Sequence, residues 1–412
     1  MAQVYTTDVR PGLLAIGLLA LWRVASPAAE LGVSTDFPGG SAEVLRIDSD
    51  TRRIEIAPAA HFGRGWPCWW YLRVDRATPG ETLTLQVRAS EHPYRDKQRL
   101  SANWALPERA AISTDDIHWT QTHPGEISDK SGVYSVVAPA ETFWLAWGPP
   151  FLPHDADELL DTIAARWPDA KRFTLATTRD GRAVHGIQIG GNDTPDAIWV
   201  QARQHAWESG GSWVARGFIE WVTGDSPEAI ALRKSTQITF IPIMDVDSVA
   251  IGAGGKEAIP RDHNRDWSDD PHYPEVAAAQ QRILTLAESG RLRMYIDLHN
   301  PGPGDERPFF YGPFNYEQLA PQKRRRYGQF LDLAATSIDG PLALHPEFRF
   351  ATYVKTDEER GRMSSEWVRR HTNADTVALT LETSWNTPHS TPDGYKAVGR
   401  GLGEAIARYL HE

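Results

Sequence analysis

Metal chemistry is what the residue spacing offers first. A His-x-x-Glu step lets an imidazole and a carboxylate converge on one ion, and the chain holds three: His123–Glu126, His205–Glu208 and His272–Glu275. With 14 histidines such a step also arises by chance, so context has to separate them. His205–Glu208 follows the apolar run Ala197–Val200 and precedes a helical pattern. That is the carboxyl end of a strand, where open α/β sheets place their sites. His123–Glu126 sits among Thr, Pro, Gly and Ser and reads as loop. Glu275 falls in the first turn of a helix opening near Pro274, where an acid favours the macrodipole, so that pair reads as structural. His299 closes the run Met294–Leu298 and is the expected third ligand. Two histidines and one carboxylate with an open fourth position make a catalytic zinc arrangement, although such a shell also accepts cobalt or manganese. Glu382 closes the run Val377–Leu381, placed to take a proton from a water that the metal acidifies. Arg265 can grip a carboxylate with two parallel hydrogen bonds, and Asn264 can bond to the same group. On spacing alone, a solvated strand-end glutamate and a surface arginine stay open as the plain alternatives.

These side chains need elements to hold them. Helical apolar spacing is predicted over Asp157–Trp167, Ser212–Trp221 with Ser212 as a cap, Pro274–Ala287 and Leu402–Leu410. Between them lie the strand runs Ala197–Val200, Ile238–Met244, Met294–Leu298 and Val377–Leu381. Strands alternating with helices argue an α/β domain. Residues 31–151 differ, with short alternating runs at Ala42–Ile47, Arg53–Ile56, Trp69–Val74, Thr82–Val87, Val133–Val137 and Thr142–Trp147. Strands spaced like this with turn signals between them suggest a sandwich. Tryptophans are dense there (Trp66, Trp69, Trp70, Trp104, Trp119, Trp144, Trp147), expected as core and inter-domain packing rather than a carbohydrate-binding face. Gly148-Pro149-Pro150, followed by Pro153, is the expected linker.

Composition sets the outer bounds. A chain of 412 residues accommodates two or three domains. Lys+Arg is 43 against Asp+Glu 54, and a net charge of −11 argues against a general nucleic-acid binder, whose phosphate contacts need a basic surface. Cys68 is the single cysteine, so an internal disulfide and a four-thiolate zinc site are excluded and any metal site must use His, Asp and Glu. The apolar run Leu13–Trp22, with Arg10 before it and small residues from Ala25 to Ala29 after it, suits a signal peptide over residues 1–29 cut after Ala28. The run is shorter than the roughly 20 residues of a membrane span, and a buried helix is the plain alternative. Export to the periplasm or medium is the expectation, with the cytoplasm as the alternative.

Taken together, four ordered blocks resemble the zinc metallocarboxypeptidases. They are His205-Ala206-Trp207-Glu208 with Ser212-Trp213-Val214, then Asp262-His263-Asn264-Arg265-Asp266-Trp267, then Tyr295-Ile296-Asp297-Leu298-His299, then Leu381-Glu382-Thr383-Ser384. Ser34-Thr35-Asp36-Phe37 and Trp66-Pro67-Cys68-Trp69-Trp70-Tyr71 resemble the β-sandwich preceding the catalytic domain in the cytosolic-carboxypeptidase-like branch. The resemblance implies a mixed-sheet α/β/α zinc carboxypeptidase domain over residues 153–412, preceded by an all-β sandwich domain over 30–152. It implies that His205, Glu208 and His299 hold one zinc ion, that Glu382 is general base and then general acid, and that Asn264 and Arg265 bind the terminal carboxylate of a peptide. The family usually carries an arginine shortly before the Asn-Arg pair; here Lys256 is offered in its place, with Arg261 nearer the pair. It also carries a tyrosine upstream of the catalytic glutamate, for which Tyr353 is the nearest candidate.

The expectation is therefore a zinc carboxypeptidase acting on peptides with a free C-terminus. Two alternatives accompany it: a zinc amidase or deacylase working on a peptidoglycan-derived or isopeptide amide, and a non-catalytic binding protein on the same fold.

Overall fold

The computed structural model describes residues 30–191, 193–373 and 375–411, with Met1 and Gln3. The apolar run and the expected cleavage site lie outside the described residues. Among the described residues no helix is long and apolar enough to cross a membrane.

The strand-rich N-terminal region forms two five-stranded sheets. One orders β1 (Gly32–Ser34), β4 (Tyr71–Asp75), β10 (Phe143–Ala146), β6 (Ala111–Ser113) and β7 (Thr120–Gln121). The other orders β2 (Glu43–Asp48), β3 (Arg53–Ala57), β5 (Thr82–Arg88), β9 (Ser131–Val137) and β8 (Glu126–Ile127). In β5 the buried residues are Leu83, Leu85 and Val87, the period-two pattern of a sheet with one covered face. Tyr134 of β9 and Trp70 lie under it without solvent exposure. Trp69, Trp70, Trp119 and Trp147 are buried, as expected of core residues, while Trp66 and Trp104 keep partial exposure.

The rest of the described chain builds one seven-stranded sheet ordered β11 (Lys171–Thr177), β12 (Ala183–Ile189), β14 (Thr236–Ile241), β13 (Asp196–Ala202), β15 (Leu292–His299), β17 (Val377–Glu382) and β16 (Phe309–Tyr311). The four central strands run parallel and β11, β12 and β16 run against their neighbours, so the sheet is mixed. Every residue of β14 and β17 is buried, as in strands covered on both faces. The covering helices are α1 (Pro153–Arg166), α2 (Ser209–Val222), α3 (Pro227–Ser235), α4 (Val246–Ala250), α5 (Pro274–Glu288), α6 (Pro321–Ser337), α7 (Asp357–Gly361), α8 (Ser364–His371) and α9 (Pro392–His411). Helices α2 and α9 approach closely through glycines: a Cβ on Gly399 would lie 2.0 Å from Val214 O, and one on Gly217 2.2 Å from Lys396 O.

The expected linker is not an exposed tether. Pro149, Pro150, Phe151 and Leu152 are all buried. Trp213 Nε1 donates to Pro149 O at 3.1 Å and Arg203 Nη1 to Phe151 O at 3.1 Å, so the prolines form a packed seam. Helix α2 begins three residues before the expected cap: Ser212 lies inside it and donates to Pro242 O at 2.9 Å. Helix α9 begins ten residues before the predicted Leu402, because its glycines, poor helix formers on their own, are selected here for the contact with α2.

Candidate active site

The site gathers where parallel strands end. Strands β15 and β17 pair with His299 directly opposite Glu382, so two candidates a long way apart in sequence become neighbours by register. Strand β13 ends at Ala202, and the chain then turns through Arg203, a non-glycine residue at φ 64°. The Arg203 side chain is buried and donates to Ala206 O from Nε at 2.9 Å and from Nη2 at 2.7 Å, moulding the loop that carries His205. Helix α2 starts immediately after Glu208, which sets that carboxylate at a helix N-terminus where negative charge is favoured.

His205, Glu208 and His299 converge. His205 Nδ1 lies 2.8 Å from Glu208 Oε1, and His299 Nδ1 lies 2.7 Å from Glu208 Oε2. The rings stand 4.9 Å apart at 63°, and one ligand atom from each residue lies within 4.8 Å of the others. Each imidazole is backed by an acid on its far side: His205 Nε2 is 3.5 Å from Asp262 Oδ1, and His299 Nε2 is 2.9 Å from Asp297 Oδ2. Outer carboxylates of this kind fix the tautomer of a metal-bound imidazole and raise its basicity. Burial pushes the Glu208 carboxyl up, but the two imidazoles outweigh it and hold it well below the usual range. Burial pushes His299 down, and Asp297 and Glu208 outweigh that in turn. Three buried donors sharing charge this way, two imidazole nitrogens and a carboxylate, fit a zinc ion.

Glu382 is buried beside this group, and its Oε2 has no hydrogen-bond partner among the described residues. Burial raises its pKa to about 8, with Glu208 adding to the shift and His299 and Lys256 opposing it. A carboxylate tuned toward neutrality is suited to taking and returning a proton.

A cavity of about 470 Å³ opens over these residues. Asn264, Arg265, Lys256 and Tyr353 all line it. Asn264 accepts from Ser364 N at 2.9 Å, which fixes its amide. Burial works against the Arg265 charge, yet Asp262 and Tyr353 outweigh it, so the guanidinium is firmly cationic. Lys256 Nζ sits 5.5 Å from the centre of the Trp66 ring. Arg261 is not part of the lining; its Nε lies 3.5 Å from Asp266 Oδ1. His123 is exposed, away from the cavity, in the loop between β7 and β8. Glu275 does occupy the first turn of α5, but its partner is His263, at 2.7 Å from Nε2, and not His272.

That contact belongs to a buried clamp that sequence reasoning did not identify. The His263 ring stacks on Tyr273 at 3.8 Å, with Glu275 on one nitrogen and Asp245 Oδ2 3.6 Å from the other. Burial lowers His263, and Asp245 and Glu275 outweigh it, raising it to about 9. The 3-10 turn His263–Arg265 is thereby fastened to the N-cap of α4 and the start of α5. Asp297 was legible in principle, since residues two apart on a strand share a face with His299. Asp245 and Glu275 carry no such local signal.

Comparison with known proteins agrees with this geometry. Residues 156–391, more than half of the chain, match the zinc carboxypeptidase family. Cytosolic carboxypeptidase 3 of Bos taurus is 30% identical over 118 residues, 28% of this chain and 12% of that protein. Cytosolic carboxypeptidase 2 of Macaca fascicularis is 30% identical over 151 residues, 34% of this chain and 18% of that protein. The chain thus spans under a fifth of the length of these relatives. Among solved structures, a metallo-carboxypeptidase from Burkholderia cenocepacia superposes with a TM-score of 0.78 at 19% identity, covering 92% of this chain and 99% of that one. A metallo-carboxypeptidase from Pseudomonas aeruginosa, in complex with (2-guanidinoethylmercapto)succinic acid, gives 0.74 at 19% identity over 92% and 99%. At that identity the superpositions speak for the fold, while the extent of the family match speaks for descent: the chain belongs to the zinc carboxypeptidase family.

Proposed function

We propose that the protein is a carboxypeptidase that releases the last residue of a peptide bearing a free C-terminal carboxylate. The observation that carries this reading is the shared cavity: a cationic Arg265 and a buried Glu382 line the same space as His205 and Glu208 of the His205–Glu208–His299 group. Zinc held by those three residues would polarise the scissile carbonyl and lower the pKa of a water to about 7. Arg265, with Asn264, grips the terminal carboxylate and so sets the last peptide bond over the metal group. Glu382 takes a proton from the attacking water and passes it to the departing amine. Lys256 places positive charge where the carbonyl oxygen gains negative charge, as a point charge rather than a fork. Tyr353, 56% exposed and beside Arg265, is taken as the tyrosine of the site, with Tyr311 lining the same cavity. Arg261, paired with Asp266, takes no part in it.

We further take residues 30–152 as a sandwich domain and 153–412 as the catalytic domain. The name of the cytosolic relatives favours a cytoplasmic location over export, and N-terminal sequencing of the mature protein from cell fractions decides between them. The test of the activity is incubation of the zinc-loaded protein with a mixed peptide library, reading shortened ends by mass spectrometry. Loss of single residues from free C-termini is expected. Cleavage confined to peptides with blocked ends would instead favour the amidase reading, and Arg265→Ala would then be nearly silent. No cleavage of any substrate would favour the non-catalytic reading.

A further inference from the structure

The cavity is not lined by the catalytic region alone. Trp66, in the connection between β3 and β4, and Trp104, in the 3-10 turn Ala102–Trp104, come from the N-terminal region, and both line it together with Trp207, which sits between the ligand residues His205 and Glu208. We propose that these tryptophans form the subsite for the residue on the acyl side of the scissile bond, and that they select a bulky apolar side chain there, aromatic above all. The proposal rests on the carboxypeptidase reading and adds a specificity to it.

Position comes first. Trp104 packs edge-on to Trp207 at 5.7 Å, and its Cη2 would lie 3.9 Å from a Cβ placed on Gly302. It therefore reaches from the loop after β13, which carries His205 and Glu208, to the loop that follows His299. Trp66 leans on Trp104 at 4.7 Å and 55°. The terminal carboxylate is assigned to Arg265, whose neighbours are Asp262 and Tyr353. A peptide anchored there crosses the metal group at its last bond, and the preceding residue continues past it along the indole wall.

Rigidity comes next. The segment bearing Trp66 is bonded to the catalytic region through its backbone: Trp66 N donates to Lys256 O at 2.9 Å, Gly255 N to Arg64 O at 2.8 Å, and Ile259 N to Gly63 O at 2.9 Å. Trp207 N donates to Gly254 O at 3.0 Å, so the same glycine-rich stretch holds both tryptophans. The contact is so close that a Cβ on Gly65 would stand 2.2 Å from Lys256 O and one on Gly254 2.1 Å from Trp66 O. A wall fixed before binding loses little entropy when a ligand arrives.

Chemistry selects the class. Partly exposed indole faces receive planar and apolar groups. Lys256 Nζ beside Trp66 disfavours a cationic side chain at this place. Glu257, an acid of the same lining, is engaged by Arg95 at 3.0 Å.

The experiment uses the zinc-loaded full chain and acetyl-X-Y dipeptides, with Y constant and X varied as Gly, Leu, Phe and Asp. Expected is a kcat/KM for X = Phe at least about tenfold above X = Gly, the scale of discrimination an apolar pocket supplies. Trp104→Ala should collapse that ratio toward one by lowering the Phe value alone, while Trp104→Phe retains it. Calorimetric binding to Glu382→Gln should follow the same order of X. Equal rates for all X, a preference for Asp, faster release from a sugar-linked amide, or an equal loss on Gly and Phe in Trp104→Ala would each overturn the subsite while leaving the carboxypeptidase reading intact. Failure to release Y from any X would overturn both.

Discussion

Glu382 and Arg265 give the sharpest tests at the scale of single residues. Glu382→Gln removes the proton acceptor and preserves the shape, so it should keep zinc by elemental analysis and lose about 10³-fold in kcat, within the usual range for general acid–base catalysis. Arg265→Ala removes a charge-assisted pair and should raise KM for free-ended peptides roughly 10- to 100-fold. His123→Ala should leave zinc content unchanged, because that residue is exposed and lies outside the cavity. Much of this site was legible in the chain because its residues close apolar strands: the runs ending at His299 and Glu382 announce both the strand and the end at which chemistry sits. Arg261, close to Asn264 in sequence, is not among the cavity-lining residues and lies 3.5 Å from Asp266, a placement that proximity in sequence does not reveal. The acids behind the histidines were hidden for a different reason. Asp262 reaches His205 from the far side of a loop, and only the folded chain brings them together.

Among elements, the turn His263–Arg265 repays attention because its fastening can be titrated. The folded pKa of His263, about 9, lies above its usual 6.5, so the clamp's contribution to stability is whole below pH 6.5 and is lost as pH climbs toward 9. The thermal midpoint of the wild type should therefore exceed that of His263→Gln most at pH 6 and converge on it by pH 9; a gap that widens with pH would contradict the clamp. Glycine-rich stretches were the least legible elements. Helix α9 was predicted at half its length because glycine weakens a helix in isolation, yet these glycines let α2 approach it. The stretch Gly252–Gly255 carries no periodic signal in the sequence, and it joins the N-terminal region, through Gly255 N to Arg64 O, to the His205 loop, through Trp207 N to Gly254 O. Gly255 has φ 79°, and a Cβ there would lie 2.6 Å from Ala206 N. Gly255→Ala should cost about 1–3 kcal/mol of stability in denaturant unfolding and disturb the His205 loop with it.

Among the described residues the main apolar interior crosses from one region into the other, with a small second cluster at Ala351, Val354 and Met363. One cluster of buried residues runs from Ile54 and Leu85 of the N-terminal sheets through Trp147 and Trp207 to Leu298 and Leu402. Calorimetry of the full chain should accordingly show a single cooperative transition, and two well-separated transitions would show that the regions unfold independently. Periodicity separates the strand-rich residues 31–151 from the alternating strands and helices that follow, and the linker expected between them is buried, since prolines mark exposed linkers and buried corners alike. The buried corner at Pro149–Leu152 bears on how such a protein can be altered by recombination. A crossover placed there, at the apparent border, would sever matched surfaces and exchange one wall of the reaction chamber for a foreign one. Chimeras that keep function would instead have to inherit the Trp66 segment and the Gly254–Lys256 stretch from the same parent.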